Sequence, residues 1–69
     1  MPPFPPIILA TSVGPCRADR TSDGWDFVSL ETGQRVASVN ARLGTAASDP
    51  RLDPWAMRDD AEAIAADRD

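Results

Sequence analysis

The sequence predicts a small α+β domain in which a three-stranded antiparallel sheet packs against one C-terminal helix. Three observations predict this class: a β-hairpin pattern at 25–39, an apolar β-branched run at 7–13, and a capped helix pattern at 54–66. A chain of 69 residues forms one domain at most. We expect residues 1–6 to form a Pro-rich N-terminal arm and residues 7–69 to form the domain.

The chain begins with the arm and the first predicted strand. Four prolines among residues 1–6 fix φ and remove backbone donors, so they predict an extended arm, with a PxxP ligand as the alternative. Residues 7–13 are rich in apolar and β-branched types and end at Gly14-Pro15, a pair that commonly interrupts regular structure. We therefore expect one strand at 7–13, followed by a polar segment through Gly24.

The hairpin at 25–39 has the clearest pattern in the chain. Gly33 suits the positive-φ position of a three-residue loop with a glycine bulge. This register places four apolar residues on one face of the hairpin: Trp25, Phe27, Ala37 and Val39. A smaller apolar patch lies on the other face: Val28, Leu30 and Val36. A two-residue loop is the alternative, but it would oppose Phe27 to Ser38 and mix the apolar set with polar residues.

The helix pattern at 54–66 has a well-defined start. Asp53 can accept hydrogen bonds from the free amide groups, and Pro54 suits the first helical position. Apolar residues at spacings of three and four predict the stripe that docks on the sheet: Met57, Ala61, Ile64 and Ala65. Trp55 lies off this stripe, so it either closes the edge of the core or anchors a partner. Residues 40–52 are expected to form a helical turn and a small-residue loop.

Charge is concentrated in the last third of the chain. Residues 1–42 hold four acids and four arginines, whereas residues 43–69 hold seven acids and three arginines and so carry the whole net charge of −4. An acidic helix lacks the Lys or Arg contacts that phosphate binding requires, so a basic protein surface is the better partner. A solvated acidic face that favours solubility is the alternative. The residues predicted to contact a partner are Trp55, Asp59, Asp60, Glu62 and Asp67.

The chain lacks the residues that most catalytic and metal sites use. It has no histidine or lysine and one cysteine, Cys16, so it lacks the commonest metal ligand, the usual bases for a nucleophile, and an intramolecular disulfide. Segment 19–24 begins like a calcium loop, but Leu30 stands where that loop needs a bidentate glutamate. We expect no enzyme activity, no cofactor and no metal. The apolar run at 7–10 is too short for a membrane span or signal peptide, so we expect a cytoplasmic protein.

Three segments resemble small accessory proteins of bacteriophages and mobile elements: 24–28 (GWDFV), 31–38 (ETGQRVAS) and 58–65 (RDDAEAIA). Such proteins pair a hairpin with an Asp/Glu-Ala-x-x-x-Ala helix, and some integrase arm-binding domains have a similar sheet-plus-helix plan. The resemblance covers residues 24–66. The chain departs from the pattern in its long connection at 40–54 and in its few basic strand residues.

Three functions follow from these observations. The leading hypothesis is a non-enzymatic protein-binding module, of the phage-encoded inhibitor or modulator kind that includes anti-CRISPR proteins, whose acidic helix binds a basic site on a protein of the bacterial host. The second is a virion or assembly component that forms a homo-oligomer through Val28, Leu30 and Val36. The third is a nucleic-acid-binding accessory protein that uses the sheet. Its contacts would come from four arginines and two aromatic residues: Arg17, Arg20, Arg35, Arg42, Trp25 and Phe27.

Overall fold

Five strands and one helix follow one another along the chain. In order they are β1 (Ile7–Thr11), β2 (Gly14–Arg20), β3 (Gly24–Ser29), β4 (Arg35–Asn40), β5 (Thr45–Ser48) and α1 (Pro54–Arg68). The structure is a computed structural model and describes residues 6–68. The predicted arm at 1–6 therefore lies outside the described residues, apart from Pro6.

The sheet is an antiparallel meander in which each strand pairs with its neighbours in the chain, in the order β1-β2-β3-β4-β5. The predicted three-stranded sheet is therefore wrong, because the sheet has five strands, although the domain is still of the α+β class with one C-terminal helix. The first strand was expected at 7–13. It ends at Thr11 because Ser12 and Val13 form the turn that leads into β2.

The strand β2 lies in a segment that was not predicted to be a strand, because it begins with glycine and proline and contains several charged residues. Gly14 and Pro15 begin the strand rather than interrupt it, because Pro15 lies at the start of the strand, before the first residue pair with β3, where its missing N–H breaks no interior hydrogen bond. Beyond them, buried small residues alternate with charged residues on the other face: Cys16 and Ala18 with Arg17 and Asp19. This alternation of period two is a strand pattern. It spans too few residues to outweigh the breakers in the sequence.

The edge strand β5 lies in a segment predicted to be a small-residue loop. Two of its four residues are alanines, which have low strand propensity, so local preference does not favour a strand here. It forms because the turn at 41–44 brings the chain back beside β4, where Asn40 pairs with Thr45 and Ala37 with Ser48. The helical turn predicted before Gly44 is the turn of this hairpin.

The β3–β4 hairpin confirms the predicted apolar face and the outer part of the predicted register. The confirmed pairs are Trp25 with Val39, Asp26 with Ser38, and Phe27 with Ala37. The register then shifts by one residue, so Val28 lies opposite Arg35 at a β-bulge and the Ser29 amide donates to the Gln34 carbonyl oxygen at 2.8 Å. Gly33 has the predicted positive φ, 76°. The loop is therefore one residue longer than predicted, and the bulge restores the pairing of the two strands.

The helix α1 covers one face of the sheet through the predicted stripe. The Ala56 amide donates to Asp53 Oδ1 at 3.2 Å, which caps the helix just before Pro54, and the helix continues to Arg68 rather than ending at residue 66. The buried core is formed by both elements: Leu9, Ala18, Trp25, Phe27, Ala37, Val39, Met57 and Ala61. We call the face of the sheet under α1 the covered face and the opposite face the open face.

Candidate functional site

The outward side of α1 carries all five residues predicted to contact a partner. Because Met57 and Ala61 are buried against the sheet, the exposed positions of the helix are Trp55, Ala56, Asp59, Asp60, Glu62, Ala63, Ala66 and Asp67. We call this set the outer helix surface. Its position follows from the apolar stripe, since residues between the stripe positions must face away from the sheet.

The period of the helix divides the predicted residues between two flanks. Trp55, Asp59 and Glu62 are separated by four and three positions and share one flank. Asp60 and Asp67 are seven positions apart, which is two turns, and share the other flank. The helix therefore presents the five residues as two separate groups rather than one cluster.

Arg58 neutralises part of the Trp55 flank. Its guanidinium lies 5.7 Å from the centroid of the Trp55 ring, and its Nη2 is 2.9 Å from Oδ1 of Asp59. Trp55 keeps 37% of its surface exposed, so it lies at the edge of the molecule instead of within the core. Asp59 is paired within its own helix, and its negative charge is correspondingly less available to a partner.

Glu62 joins the helix to the sheet. Its Oε1 accepts a hydrogen bond from Nε1 of Trp25 at 3.2 Å. Trp25 is 3% exposed, and a buried indole N–H needs an acceptor, which Glu62 supplies from across the covered face. The sequence assigns Glu62 to the partner site only, because a contact between residues so far apart in the chain leaves no local pattern.

The flank of Asp60 and Asp67 carries two exposed negative charges. Both residues are exposed, and neither belongs to an ion pair formed among the side chains that the structure describes. Asp67 lies in the last turn, where the helix dipole disfavours an anion, so its position does not stabilise the helix. Ala63 lies between these carboxylates and Ala56 lies one turn before Asp60, so both carboxylates have small neighbouring side chains on this flank.

The open face of the sheet is the second exposed surface. The register arranges the side chains of this face in rows that cross the strands. The first row contains Ile8, Arg17, Val28 and Arg35. The second row contains Asp19, Asp26, Ser38 and Ala47. Two ion pairs connect these rows, from Arg17 Nη2 to Asp19 Oδ2 at 3.0 Å and from Arg35 Nη1 to Asp26 Oδ1 at 3.8 Å. The formal charges of this face therefore cancel.

The residues proposed to bind nucleic acid are engaged elsewhere. Trp25 and Phe27 are buried on the covered face, so neither ring can stack on a base. The Arg20 guanidinium lies 5.1 Å from the centroid of the Trp25 ring, and Arg42 Nε is 3.1 Å from an oxygen of Asp23. The nucleic-acid hypothesis thus loses its stacking residues, and its arginines already have partners.

The pKa of Asp49 is shifted at the turn that leaves β5. Arg51 donates to the Asp49 carboxylate from Nε at 3.0 Å, from Nη2 at 2.9 Å and from its amide at 3.0 Å. These hydrogen bonds, the side-chain ones first, lower the pKa of Asp49 from 3.8 to about 2. Asp49 is therefore ionised at neutral pH and shapes the connection to α1.

Features typical of a catalytic, metal or membrane site are few in the described part of the chain. Within residues 6–68, no group of three or more His, Cys, Asp or Glu residues is placed to hold a metal ion. No helix of that range is long and apolar enough to cross a membrane. A shallow groove of about 330 Å³ over β4 and β5 includes Arg35, Ser38 and Asp49, but the carboxylate of Asp49 is already bonded to Arg51.

No protein-family model matches the sequence, and comparisons with curated proteins and with solved structures give no significant match. The resemblance to accessory proteins of phages and mobile elements therefore stays a prediction from residues 24–66. The two exposed surfaces, the outer helix surface and the open face of the sheet, are the features that bear on function.

Proposed function

We propose that this chain is a non-enzymatic protein-binding module that presents the outer helix surface to a basic site on a partner. The observation that carries the proposal is the placement of Asp60 and Asp67, two exposed carboxylates on one flank of the helix. Met57 and Ala61 hold that helix against the sheet. Charges on a fixed helix need little ordering when a partner binds, so less binding free energy is lost to entropy.

The distribution of charge supports the same flank. Of the acids that follow residue 42, Asp49 is bonded to Arg51, Asp53 caps the helix, and Asp59 is paired with Arg58. The chain still has a net charge of −4. Exposed carboxylates that lack internal partners attract Lys- or Arg-rich surfaces and accelerate association with them, an effect that added salt screens.

The sequence resemblance extends the proposal to a biological setting. A bacteriophage or mobile-element origin would make the partner a protein of the bacterial host, as for anti-CRISPR inhibitors that block a nucleic-acid groove. Such a groove is lined by Lys and Arg, which is the chemistry that an acidic helix complements. The proposed place of action is the host cytoplasm, with the virion as the alternative.

The test begins with a pull-down from bacterial lysate by the tagged full-length chain at low and high salt, followed by mass spectrometry. We expect a protein with a basic surface that is retained at low salt and released at high salt. Against this purified protein, Asp60→Arg and Asp67→Arg should each weaken binding at least about tenfold, since each places a like charge opposite a basic site. Glu62 is left unchanged, because its loss would also disturb Trp25.

The matched control is Glu31→Arg, which makes the same change of charge in the exposed β3–β4 loop. It should leave the affinity within about twofold, because this loop is not part of the outer helix surface, and a surface charge more than a Debye length from the contact interacts only weakly with the partner. Unchanged affinity in both helix variants would reject the proposal. An equal loss in the Glu31 variant would also reject it, because net charge and not the helix would then drive binding.

A further inference from the structure

The open face carries an apolar strip at one end that no element within residues 6–68 covers. We define the apolar strip as Ile8 and Ala10 of β1, Pro15 of β2, Val28 of β3, and Leu30 just after β3. Ala10 pairs with Pro15, and the Leu30 amide donates to the Pro15 carbonyl oxygen at 3.0 Å, so the strip is continuous across three strands. Ile8 and Leu30 are 46% and 48% exposed, and α1 lies on the other side of the sheet. Contiguous apolar residues of this kind mark a contact surface.

Of the charged residues of the open face, Arg17 lies within the strip, between Ile8 and Val28, and the others border it. Arg17 and Arg35 reach toward Asp19 and Asp26, so the charged ends of their side chains are drawn away from the strip. The two positive and two negative charges cancel. A strongly charged partner finds no complement on this face, whereas a second copy brings the same apolar strip and the same balanced charges.

A two-fold axis can place one strip on another. The axis would lie between the two sheets, perpendicular to the strands, at the level between Pro15 and Arg17. Rotation about it brings the open face of the second copy onto that of the first and exchanges the row of Pro15 with the row of Arg17. Leu30 of one copy then lies against Val28 of the other, and Ile8 lies against Ala10. Pro15 lies against Arg17, whose guanidinium is directed toward Asp19 and away from the strip. The aspartates fall at the rim, where water reaches them. Isologous contacts are usual in homodimers, and sheets pack face to face at a separation of about 10 Å.

The dimensions of the sheet and of the chain are consistent with such a contact. Five strands about 4.8 Å apart, with side chains at the margins, form a face roughly 25 Å on each side. The whole face is of the same order as the ~800 Å² that each partner contributes to an ordinary stable interface, and the part around the strip that the two copies share is smaller. A chain of 69 residues also buries little apolar surface by itself, and self-association is one of the usual remedies.

We infer that the open face is the interface of a two-fold homodimer in which the two sheets pack against each other. The dimer has the layer order helix, sheet, sheet, helix, and it buries the apolar strips at its centre. Both outer helix surfaces face away from the interface and stay accessible on opposite sides. The inference does not depend on the proposed function, because the two surfaces lie on opposite sides of the molecule.

The test is sedimentation equilibrium of the full-length chain from 1 to 500 μM, with circular dichroism to check the fold of each variant. The chain has a mass of 7.4 kDa, and we expect its apparent mass to double as the concentration rises. Leu30→Asp and Ile8→Asp should each raise the dissociation constant of the dimer at least about tenfold, because a carboxylate would be buried in an apolar contact. Leu43→Asp is the matched control, since Leu43 is 63% exposed in the β4–β5 turn, away from the strip.

A second measurement needs no variant. In an equimolar mixture of ¹³C-labelled and unlabelled chains, isotope-filtered NOEs should connect methyl groups of Leu30 and Val28 across the interface. A chain that stays at 7.4 kDa throughout would overturn the inference and leave the strip to another kind of partner. A dimer that both strip variants leave intact, or that shows no filtered NOE at the strip, would overturn it by placing the contact elsewhere.

Discussion

The two faces of the sheet are made by the same strands and differ in almost every property. The covered face holds buried apolar side chains, among them Trp25 and Phe27, and is tied to the helix through Glu62. The open face alternates paired charges with apolar side chains that keep up to half of their surface exposed. Because side chains alternate between the two faces, neighbouring residues of one strand lie in these two different environments. Position in the alternation, more than residue type, therefore decides whether a side chain builds the fold or is left for contacts.

The difference also separates the two proposals. The outer helix surface exists because α1 uses its apolar stripe on the covered face, which leaves its acids outside. The apolar strip is exposed because, within residues 6–68, the single helix covers one face of the sheet. Because the described part of the domain has only two layers, one sheet and one helix, each layer keeps one side exposed: the outer helix surface and the open face.

The largest expected effect comes from comparing neighbouring residues on opposite faces. Phe27 is fully buried on the covered face, and Val28 is half-buried on the open face. Phe27→Ala should lower the free energy of unfolding by about 3–5 kcal/mol. Val28→Ala should lower it by only about 1 kcal/mol when the protein is monomeric, because the change removes only two methyl groups, and they are not fully buried. Urea unfolding at low micromolar concentration measures both, and equal losses would contradict the contrast between the faces.

An intermediate effect is expected where the helix meets the covered face. Glu62→Ala removes the acceptor of the Trp25 indole N–H and should cost about 1–2 kcal/mol of unfolding free energy. Asp59→Ala is the matched control one turn earlier on the same flank, where an exposed ion pair with Arg58 contributes no more than about 0.5 kcal/mol. Thermal or urea unfolding of both variants checks this. Similar stabilities would mean that the bond from Trp25 to Glu62 does not hold the helix on the sheet.

The smallest effect concerns pH, at the turn through which the chain leaves β5. The pKa of Asp49 is about 2 in the folded chain, below its ordinary value of 3.8, because Arg51 donates hydrogen bonds to the carboxylate. Stability from this pair is therefore present above about pH 4 and is lost as the pH falls toward 2. An NMR titration should place the Asp49 midpoint near 2, and Arg51→Ala should return it toward 3.8. A midpoint near 3.8 in the unaltered chain would contradict the hydrogen-bonded geometry.

Local patterns predict the elements that have strong local signals. The hairpin follows from the apolar alternation between Trp25 and Val39 and from Gly33, whose φ is positive as predicted. The helix follows from its cap at Asp53. The strands β2 and β5 are not predicted, because their residue types do not favour strands: β2 contains glycine, proline and charged residues, and β5 contains two alanines. Both form because they pair with neighbouring strands. Sequence alone therefore finds β1, β3 and β4 and misses β2 and β5.

The candidate site divides in the same way. Exposure of Asp60 and Asp67 could be predicted, since it follows from the helix period and the apolar stripe. The pairing of Asp59 with Arg58 is local, but several partners compete for each charge on a helix, and spacing alone does not choose between Asp59 and Glu62 as the partner of Arg58. The role of Glu62 could not be predicted, because it depends on where the sheet places Trp25. Val28 and Leu30 could be predicted to lie on the open face, but Val36, predicted with them, packs against the core instead. The remaining residues of the apolar strip depend on the pairing of β1 with β2.

The central claim is that the covered face builds the fold, the open face binds a second copy, and the outer helix surface stays free. The most direct measurement is the relaxation caused by a soluble paramagnetic agent at methyl groups of the full-length chain, at about 30 μM and about 1 mM. The account predicts that Ile8 and Leu30 methyls become protected at the higher concentration, whereas those of Leu43 and Ala63 stay accessible. Protection of Ala63 with continued exposure of Ile8 and Leu30 would contradict it.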